Sequence, residues 1–427
     1  MITPTTLRIC YIADARSPTA QSWIRYFPPR GHEVHVISTH PCEPGCIPGA
    51  EIHYVDSCLD RPARRAKKEG GAAARWNLNP WGWRGRLAFE IWDSVVQPVR
   101  CLSLVPSVKR LMERIAPDLV HGLRIPIEGE LAWMVGRRPL IVSIWGNDLT
   151  LHAKHSIFHN RITRRVLRDS VAVLADCEAD LVRVRGLGVS SATALMNVPG
   201  SGGIPAALFR EQNGAAVRKR LNIPPEGLVA INPRGFRRYV RNDTYLAAVP
   251  LVLRVHPEVV FVSVGLKGWQ DVEASVRREG LGSSVFLTGP LQQSELADLF
   301  RTSALMVSPT EHDGTPNTLL EAMACGCLPV CGDLPSIREW VEHGQNGFLC
   351  DPGNPKDLAA AIIKGIENPD LRRRAALFNR DLVAHRAGYE ECMARVEQLY
   401  FRLCNRTLPT GGHGLTEAPI RQQDYAV

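Results

Sequence analysis

The densest concentration of reactive side chains lies between Ser308 and Gly326, where an apolar run (Ala304 to Ser308) leads into a loop of small residues and then a helical pattern. Asp313 and Glu321 are separated by seven residues, so one carboxylate stands before the helix and the other one turn inside it. Asn317 or Thr318 is the expected cap. A helix start concentrates free backbone N–H groups and positive dipole, which favours an anion such as a diphosphate. Carboxylates beside it can accept hydrogen bonds from sugar hydroxyls. The same residues also suit an ordinary capped helix with surface acids.

The run Glu321-Ala322-Met323-Ala324-Cys325-Gly326 followed by Pro329-Val330, with Asp313 upstream, resembles the acidic motif of the retaining glycosyltransferases of family 4. Glu339, Gly344, Gly347, Phe348, Leu349 and Pro352 match the same family further on, and Arg8 to Ile37, with Gly31-His32-Glu33-Val34, matches it near the start. The resemblance runs from about residue 7 to 365. It departs from the family at Asp313, where Glu is usual, and at Pro316, which lacks an N–H for phosphate.

The resemblance implies a GT-B fold and a metal-independent enzyme. Such an enzyme moves a hexose-type sugar from a nucleotide-diphosphate-sugar co-substrate to an acceptor hydroxyl. It also implies roles for individual residues. Arg234 and Arg241 would clamp the diphosphate, with Arg237 and Arg238 close enough to be confused with them. Gly314, Thr315, Pro316, Asn317 and Thr318 would hold the donor, and Asp313, Glu321, Arg234, Arg241 and His121 would form the catalytic set. Trp145-Gly146-Asn147-Asp148 looks like a family turn that contacts acceptor or sugar through Asn147 and Asp148. The family's second His, two residues past the first, is Leu123 here. His121 therefore has an alternative as a packed, hydrogen-bonded side chain.

Some of these placements also follow from the chain itself. Open α/β sheets bind ligands at the carboxyl ends of their strands. His121 and the turn at Asp148 both follow such runs, and Glu128 and Glu130 either line the same cleft or open a helix. The loop after the first strand has no Gly pair, leaving Arg16, Ser17 and Thr19 as polar groups for a phosphate, with Ser17 also an expected acceptor contact.

The elements that must position these residues are short apolar runs alternating with helical patterns. The runs are Leu7 to Ala13, Glu33 to Ser38, Glu51 to Val55, Asp118 to His121, Leu140 to Trp145, Val171 to Ala175 and Ala192 to Met196. A second series comprises Leu228 to Asn232, Val259 to Val264, Val285 to Thr288, Ala304 to Ser308, Leu328 to Cys331 and Phe348 to Cys350. Runs apolar on both faces belong in covered parallel sheets. The alternation predicts an α/β chain with two Rossmann-like, doubly wound parallel-sheet domains facing across a cleft. The Pro- and Gly-rich stretch 197–225 is the expected hinge. The expected divisions are an acceptor-binding domain over 1–205, a nucleotide-sugar domain over 206–385, a helix over 386–405 that crosses back, and a disordered tail over 406–427. Asp370 to Leu403 reads as helical and polar.

Composition narrows the classes further. The chain has 427 residues, 45% hydrophobic and 22% charged, which excludes a disordered or collagen-like protein. No apolar run approaches the ~20 residues of a membrane-spanning helix. The start reads as a strand rather than a secretion signal, and the 12 cysteines are spread through a long chain, so a cytoplasmic location with reduced thiols is expected. Cys325, Cys327 and Cys331 lack the paired spacing of a metal site.

The +8 net charge is concentrated. Residues 61–110 hold eleven basic and three acidic side chains, an excess equal to that of the whole chain, together with Trp76, Trp81, Trp83 and Trp92. That mixture suits an anionic lipid surface and a glycan, lipid-linked or small-molecule acceptor, with peripheral association at the inner face of the plasma membrane. An ordinary solvated insertion would look the same. The rivals are a GT-B sugar-nucleotide epimerase and a non-catalytic nucleotide-sugar-binding subunit. A nucleic-acid binder would account only for the basic segment.

Overall fold

A computed structural model of the chain describes residues 6–57, 97–155, 157–200, 202–212, 214–224 and 227–406. Residues 58–96, including the four tryptophans of the basic segment, and the expected tail from 407 onward lie outside the described residues.

Two wholly parallel sheets organise the rest. The first comprises β1 (Arg8–Ala13), β2 (Glu33–Ser38), β3 (Ala50–Tyr54), β4 (Leu119–Leu123), β5 (Leu140–Ile144), β6 (Ala172–Ala175) and β7 (Ala194–Asn197), in the order β3-β2-β1-β4-β5-β6-β7. The second comprises β8 (Val229–Asn232), β9 (Val260–Ser263), β10 (Val285–Leu287), β11 (Leu305–Ser308), β12 (Leu328–Gly332) and β13 (Phe348–Cys350), in the order β10-β9-β8-β11-β12-β13. All thirteen expected runs are strands. Each sheet is covered by helices on both faces, and every residue of β4, β5, β8, β9, β11 and β12 is buried. That burial explains their unbroken apolar character, because neither face needs to meet water.

The C-terminal region departs from the expected polar character of 370–403. Two helices, Pro369–Ala387 and Tyr389–Leu403, meet at Gly388, whose extended backbone breaks the helical path. The second is not polar. Met393, Val396, Leu399, Tyr400 and Phe401 are buried in the first domain's core with Trp23 and Phe27, and Tyr400 stacks on Phe27 at 5.2 Å between ring centroids. Glu397, on the same helix, accepts hydrogen bonds from Arg30 at 3.2 Å and bonds the His32 ring at 2.8 Å. Those apolar residues at helical spacing carry the packing, while the intervening charges face water.

The chain therefore passes between the domains twice, and the two passages are joined. Ile204 N–H donates to Ala387 O at 2.7 Å, and Tyr389 N–H donates to Ile204 O at 3.2 Å. Gly203 has φ +103°, and a Cβ there would lie 2.7 Å from Tyr389 Cα and 2.8 Å from Ala387 O. Only glycine meets both requirements. A second tie crosses the cleft, where the Glu339 carboxylate accepts from Glu178 N–H at 3.0 Å and Ala179 N–H at 2.8 Å, at the start of helix Glu178–Gly186. An acid there completes two otherwise unpaired donors and complements the helix dipole.

Of the basic residues in 61–110 that are described, Arg100 is not on the surface. It is 4% exposed and donates to the Thr39 carbonyl at 2.5 Å. No helix among the described residues is long and apolar enough to cross a membrane.

Gly203→Ala should lower stability by roughly 2–4 kcal/mol, through the left-handed backbone and the contact with the second passage. Thermal unfolding compared with Gly344→Ala checks this: Gly344 also has positive φ but no neighbour within 4 Å of an added Cβ. Gly203→Ala should lower the Tm clearly more than Gly344→Ala.

Candidate active site

The cleft side of the second sheet is built from the loops after β8 and β11. At the end of β8, Asn232 accepts Arg234 N–H at 3.0 Å while its amide donates to Asn242 Oδ1 at 3.0 Å, which sets the course of the Arg234 loop. The Arg234 guanidinium then reaches Asp313 Oδ2 at 2.7 Å and Thr318 Oγ1 at 3.4 Å. Thr310 Oγ1 and Glu311 N–H both donate to Tyr239 O, at 3.0 and 2.9 Å, tying the two loops together. Ser336 Oγ donates to Asp313 O at 2.8 Å, and Trp340 Nε1–H donates to Thr315 Oγ1 at 3.2 Å. The loop is thus held from three sides.

Helix Asn317–Ala324 starts within this arrangement. The expected side-chain cap is absent: Pro316 occupies the capping position, and neither Asn317 nor Thr318 closes the first turn. Pro cannot cap by side chain, and Thr318 is engaged by Arg234. Glu321 lies one turn in and is 5% exposed. Burial pushes its carboxyl pKa up to about 7, with the Arg234 charge partly opposing. Asp313 is also shifted upward by burial, against the pull of Arg234. Arg241 is held apart from this cluster by Asp243 at 3.0 Å and Glu311 at 3.0 Å.

The first domain's contribution differs from expectation at several residues. His121 is fully buried: its Nδ1 lies 2.5 Å from Tyr400 Oη and its Nε2 2.9 Å from Ser143 Oγ. Burial lowers its pKa to about 3. His121 thus has the arrangement of a packed, neutral, hydrogen-bonded side chain, both ring nitrogens being engaged inside the core.

Asp148 is likewise turned inward, 1% exposed. It accepts from Arg124 Nε and Nη2 at 3.2 and 2.9 Å, from Ile125 N–H at 3.3 Å and from Trp145 N–H at 3.2 Å. With its lone pairs committed, it shapes the loop instead of meeting an acceptor. Asn147 begins the turn that follows, its carbonyl accepting from Leu151 N–H at 2.9 Å. Ser17 Oγ caps helix Pro18–Ile24 through Ala20 N–H at 3.5 Å, so that hydroxyl too has an internal task.

The loop after β4 holds Arg124, to which spacing assigned no role, and Glu128, one of the two acids expected at the cleft or a helix start. Arg124 has φ +101° and Ile127 φ +71°, so the loop after β4 is strained at two non-glycine positions. Such strain persists only where surrounding contacts enforce it, here the Arg124–Asp148 pair, and it concentrates at functional loops. Glu128, in that loop, is buried, accepts from Thr39 Oγ1 at 3.2 Å, and has a pKa raised by burial to about 7.

Asp176, just past β6, is 6% exposed. Its Oδ2 accepts from Gly146 N–H at 3.0 Å, while Oδ1 has no protein partner. Burial, then the charge of Asp180, raises its pKa well above the carboxylate range. It touches the other domain: a Cβ on Gly314 would lie 2.1 Å from Asp176 Oδ1, and one on Gly146 would lie 3.4 Å from Asp313 Oδ1. The two glycines let a buried acid of one domain approach the loop after β11 of the other. The signal in the sequence was the Asp-Cys-Glu step at the end of an apolar strand, which is weak alone.

Comparison with known proteins adds a second line. Residues 215–380 match the family described as glycosyl transferases group 1, and residues 17–200 match the glycosyl transferase 4-like domain. The chain is a glycosyltransferase of group 1, with the GT-B fold. It is 25% identical over 359 residues to a D-inositol 3-phosphate glycosyltransferase of Thermobispora bispora, covering 76% of this chain and 81% of that relative. It is 24% identical over 359 residues to an N-acetyl-alpha-D-glucosaminyl L-malate synthase of Bacillus anthracis, covering 83% and 89%.

Among solved structures, sucrose-phosphate synthase from Thermosynechococcus elongatus superposes with TM-score 0.74 at 17% identity, covering 93% of this chain and 99% of that one. HepE of Anabaena in complex with UDP-glucose superposes with TM-score 0.68 at 18% identity, covering 92% and 99%. At these identities the superpositions establish the fold of this glycosyltransferase.

The raised pKa of Glu321 has a calculable effect. Between its ordinary 4.5 and about 7 the folded protein keeps a proton that the unfolded chain releases, so stability falls as pH rises through that window. Glu321→Gln should remove up to ~3 kcal/mol of that fall. Ligand-free thermal unfolding from pH 4.5 to 7 should give a flatter profile for the variant.

Proposed function

We propose that this glycosyltransferase uses a nucleotide-diphosphate-sugar as donor, transfers its sugar to an acceptor hydroxyl with retention of configuration, and needs no metal at the donor. The observation that carries the donor assignment is the half-buried Arg234–Asp313 pair at the start of helix Asn317–Ala324, with Glu321 one turn beyond. An anionic diphosphate placed there would draw Arg234 and meet the free backbone N–H groups of the helix start. As the glycosidic bond breaks, negative charge grows on the leaving diphosphate, and a guanidinium in a water-poor site stabilises it strongly. Glu321 and Asp313 would accept hydrogen bonds from the donor's hydroxyls. Arg241 would reach the distal phosphate only by leaving Asp243 and Glu311. Retention and metal independence rest on the family likeness.

The acceptor half is the first domain, and cell-surface polysaccharide or glycoconjugate synthesis at the inner face of the plasma membrane is the setting we favour. Helix Ile157–Asp169 supports a membrane-held acceptor, since Ile157 and Phe158 are exposed next to Arg161, Arg165 and Arg168. Closure of the two domains would exclude water and limit donor hydrolysis.

Nucleotide release from UDP-, GDP- and ADP-sugars with a panel of glycan and polyol acceptors tests the reading. Arg234→Ala should lower kcat/KM by about 10²–10³-fold with the circular dichroism unchanged. No nucleotide release with any donor, together with no rise in Tm on adding nucleoside diphosphates, would sink it. Co-sedimentation with anionic vesicles should exceed that with neutral ones and decline in Ile157→Ser/Phe158→Ser.

A further inference from the structure

On the helix-covered face of the first sheet, β2 and β3 bring together groups that the transfer chemistry does not use. Residues alternate faces along a strand, so Glu33, His35 and Ile37 of β2 share one face, and Glu51 and His53 of β3 share it with them, His35 standing opposite Glu51 in register. Ile37 joins the core cluster that holds Val108, Met112 and Ile115 of the covering helix Gln97–Ile115. The histidines therefore sit in a half-dry seam, His35 7% exposed.

Their spacing is specific. His35 Nδ1 lies 3.1 Å from His53 Nε2, Glu51 Oε2 lies 3.4 Å from His35 Nδ1, and Glu51 Oε1 lies 3.6 Å from His53 Nε2. Two ligand atoms each 2.0–2.1 Å from a tetrahedral zinc ion are about 3.3–3.4 Å apart. The nitrogen–nitrogen distance is close to one edge of such a tetrahedron, and one Glu51 oxygen lies within 4.8 Å of both nitrogens, so a rotation of that exposed carboxylate brings the third ligand atom into place. A hydrogen bond explains the His–His approach alone, but not a carboxylate straddling both nitrogens.

The surroundings match as well. His35 Nε2 lies 2.9 Å from Glu33 Oε1, and Glu33 is itself held by Arg8 Nε at 2.7 Å. A carboxylate on the far ring nitrogen fixes the tautomer that turns the Nδ1 lone pair toward a metal, the usual support for a metal-bound imidazole. Two carboxylates offset the Arg8 and Arg114 charges nearby.

We infer that His35, His53 and Glu51 form a binding site for a divalent transition metal of zinc type, with a fourth position open to water. Imidazole and carboxylate ligands suit Zn²⁺, Co²⁺ and Ni²⁺. Because β3 is the edge strand, bound metal would clamp it to β2. The site stands apart from the donor cleft, so it is compatible with metal-independent transfer.

Chelator-stripped full-length protein titrated with Zn²⁺ by calorimetry, and with Co²⁺ by visible absorption, tests this. Wild type should bind one more equivalent than His53→Gln, develop the Co²⁺ bands of nitrogen and oxygen ligands, and gain several degrees in Tm. Glu51→Gln, at an exposed position, should keep the fold and bind at least tenfold more weakly, and Glu33→Gln should weaken binding about tenfold. Metal held by the cysteines is common to all variants and cancels in the difference. Equal uptake and affinity in wild type, His53→Gln and Glu51→Gln, or no uptake at all, would overturn the assignment.

Discussion

Everything about the cleft depends on the place where the chain crosses between domains twice and the crossings bond to each other. The pairing of Ile204 with Ala387 and Tyr389 leaves no room for a side chain at Gly203. Once made, it returns the last helix to the first domain, where Tyr400 and Phe401 fill the core. A single linker would let the two sheets sample many orientations. Two joined ones restrict motion to a narrow axis, and a fixed axis is what lets Asp176 of one domain face Gly314 of the other.

That return also accounts for His121. Tyr400 from the C-terminal helix takes one ring nitrogen and Ser143 the other, with Trp23 edge-on to the imidazole. The strand-end histidine is consumed by the clasp between distant parts of the chain. The cleft is left to arginines and acids. Arg234 with Asp313 is a half-buried pair, Arg124 reaches from a partly exposed position to the buried Asp148, and Glu128, Asp176 and Glu321 are all shifted toward their neutral forms by burial. Such a site has donors and acceptors of both kinds ready for a sugar and a diphosphate.

The parallel sheets were legible because a strand buried on both faces must be largely apolar, as β8, β9, β11 and β12 are. The loop and helix after β11 were legible for a related reason: an acid, small residues and an acid at helical spacing make a local pattern. The first-domain site was less so. Asp148 and Ser17 have the right chemistry and stand at the right end of their elements, yet each spends its oxygens on nearby backbone or on Arg124. Asp176 gave almost no signal, since its importance comes from an approach across more than a hundred residues of chain.

By itself, the sequence determined the fold class and the two-sheet division, because periodicity and short-range spacing are properties of contiguous residues. Tertiary structure decided which polar groups remain available. Burial and partner choice depend on residues far apart in the chain, so His121 was claimed by Tyr400, the polar-looking last helix became core, and two histidines on neighbouring strands met around one carboxylate. A side chain's type states what chemistry it can do, and only its three-dimensional neighbours determine whether that capacity is already spent.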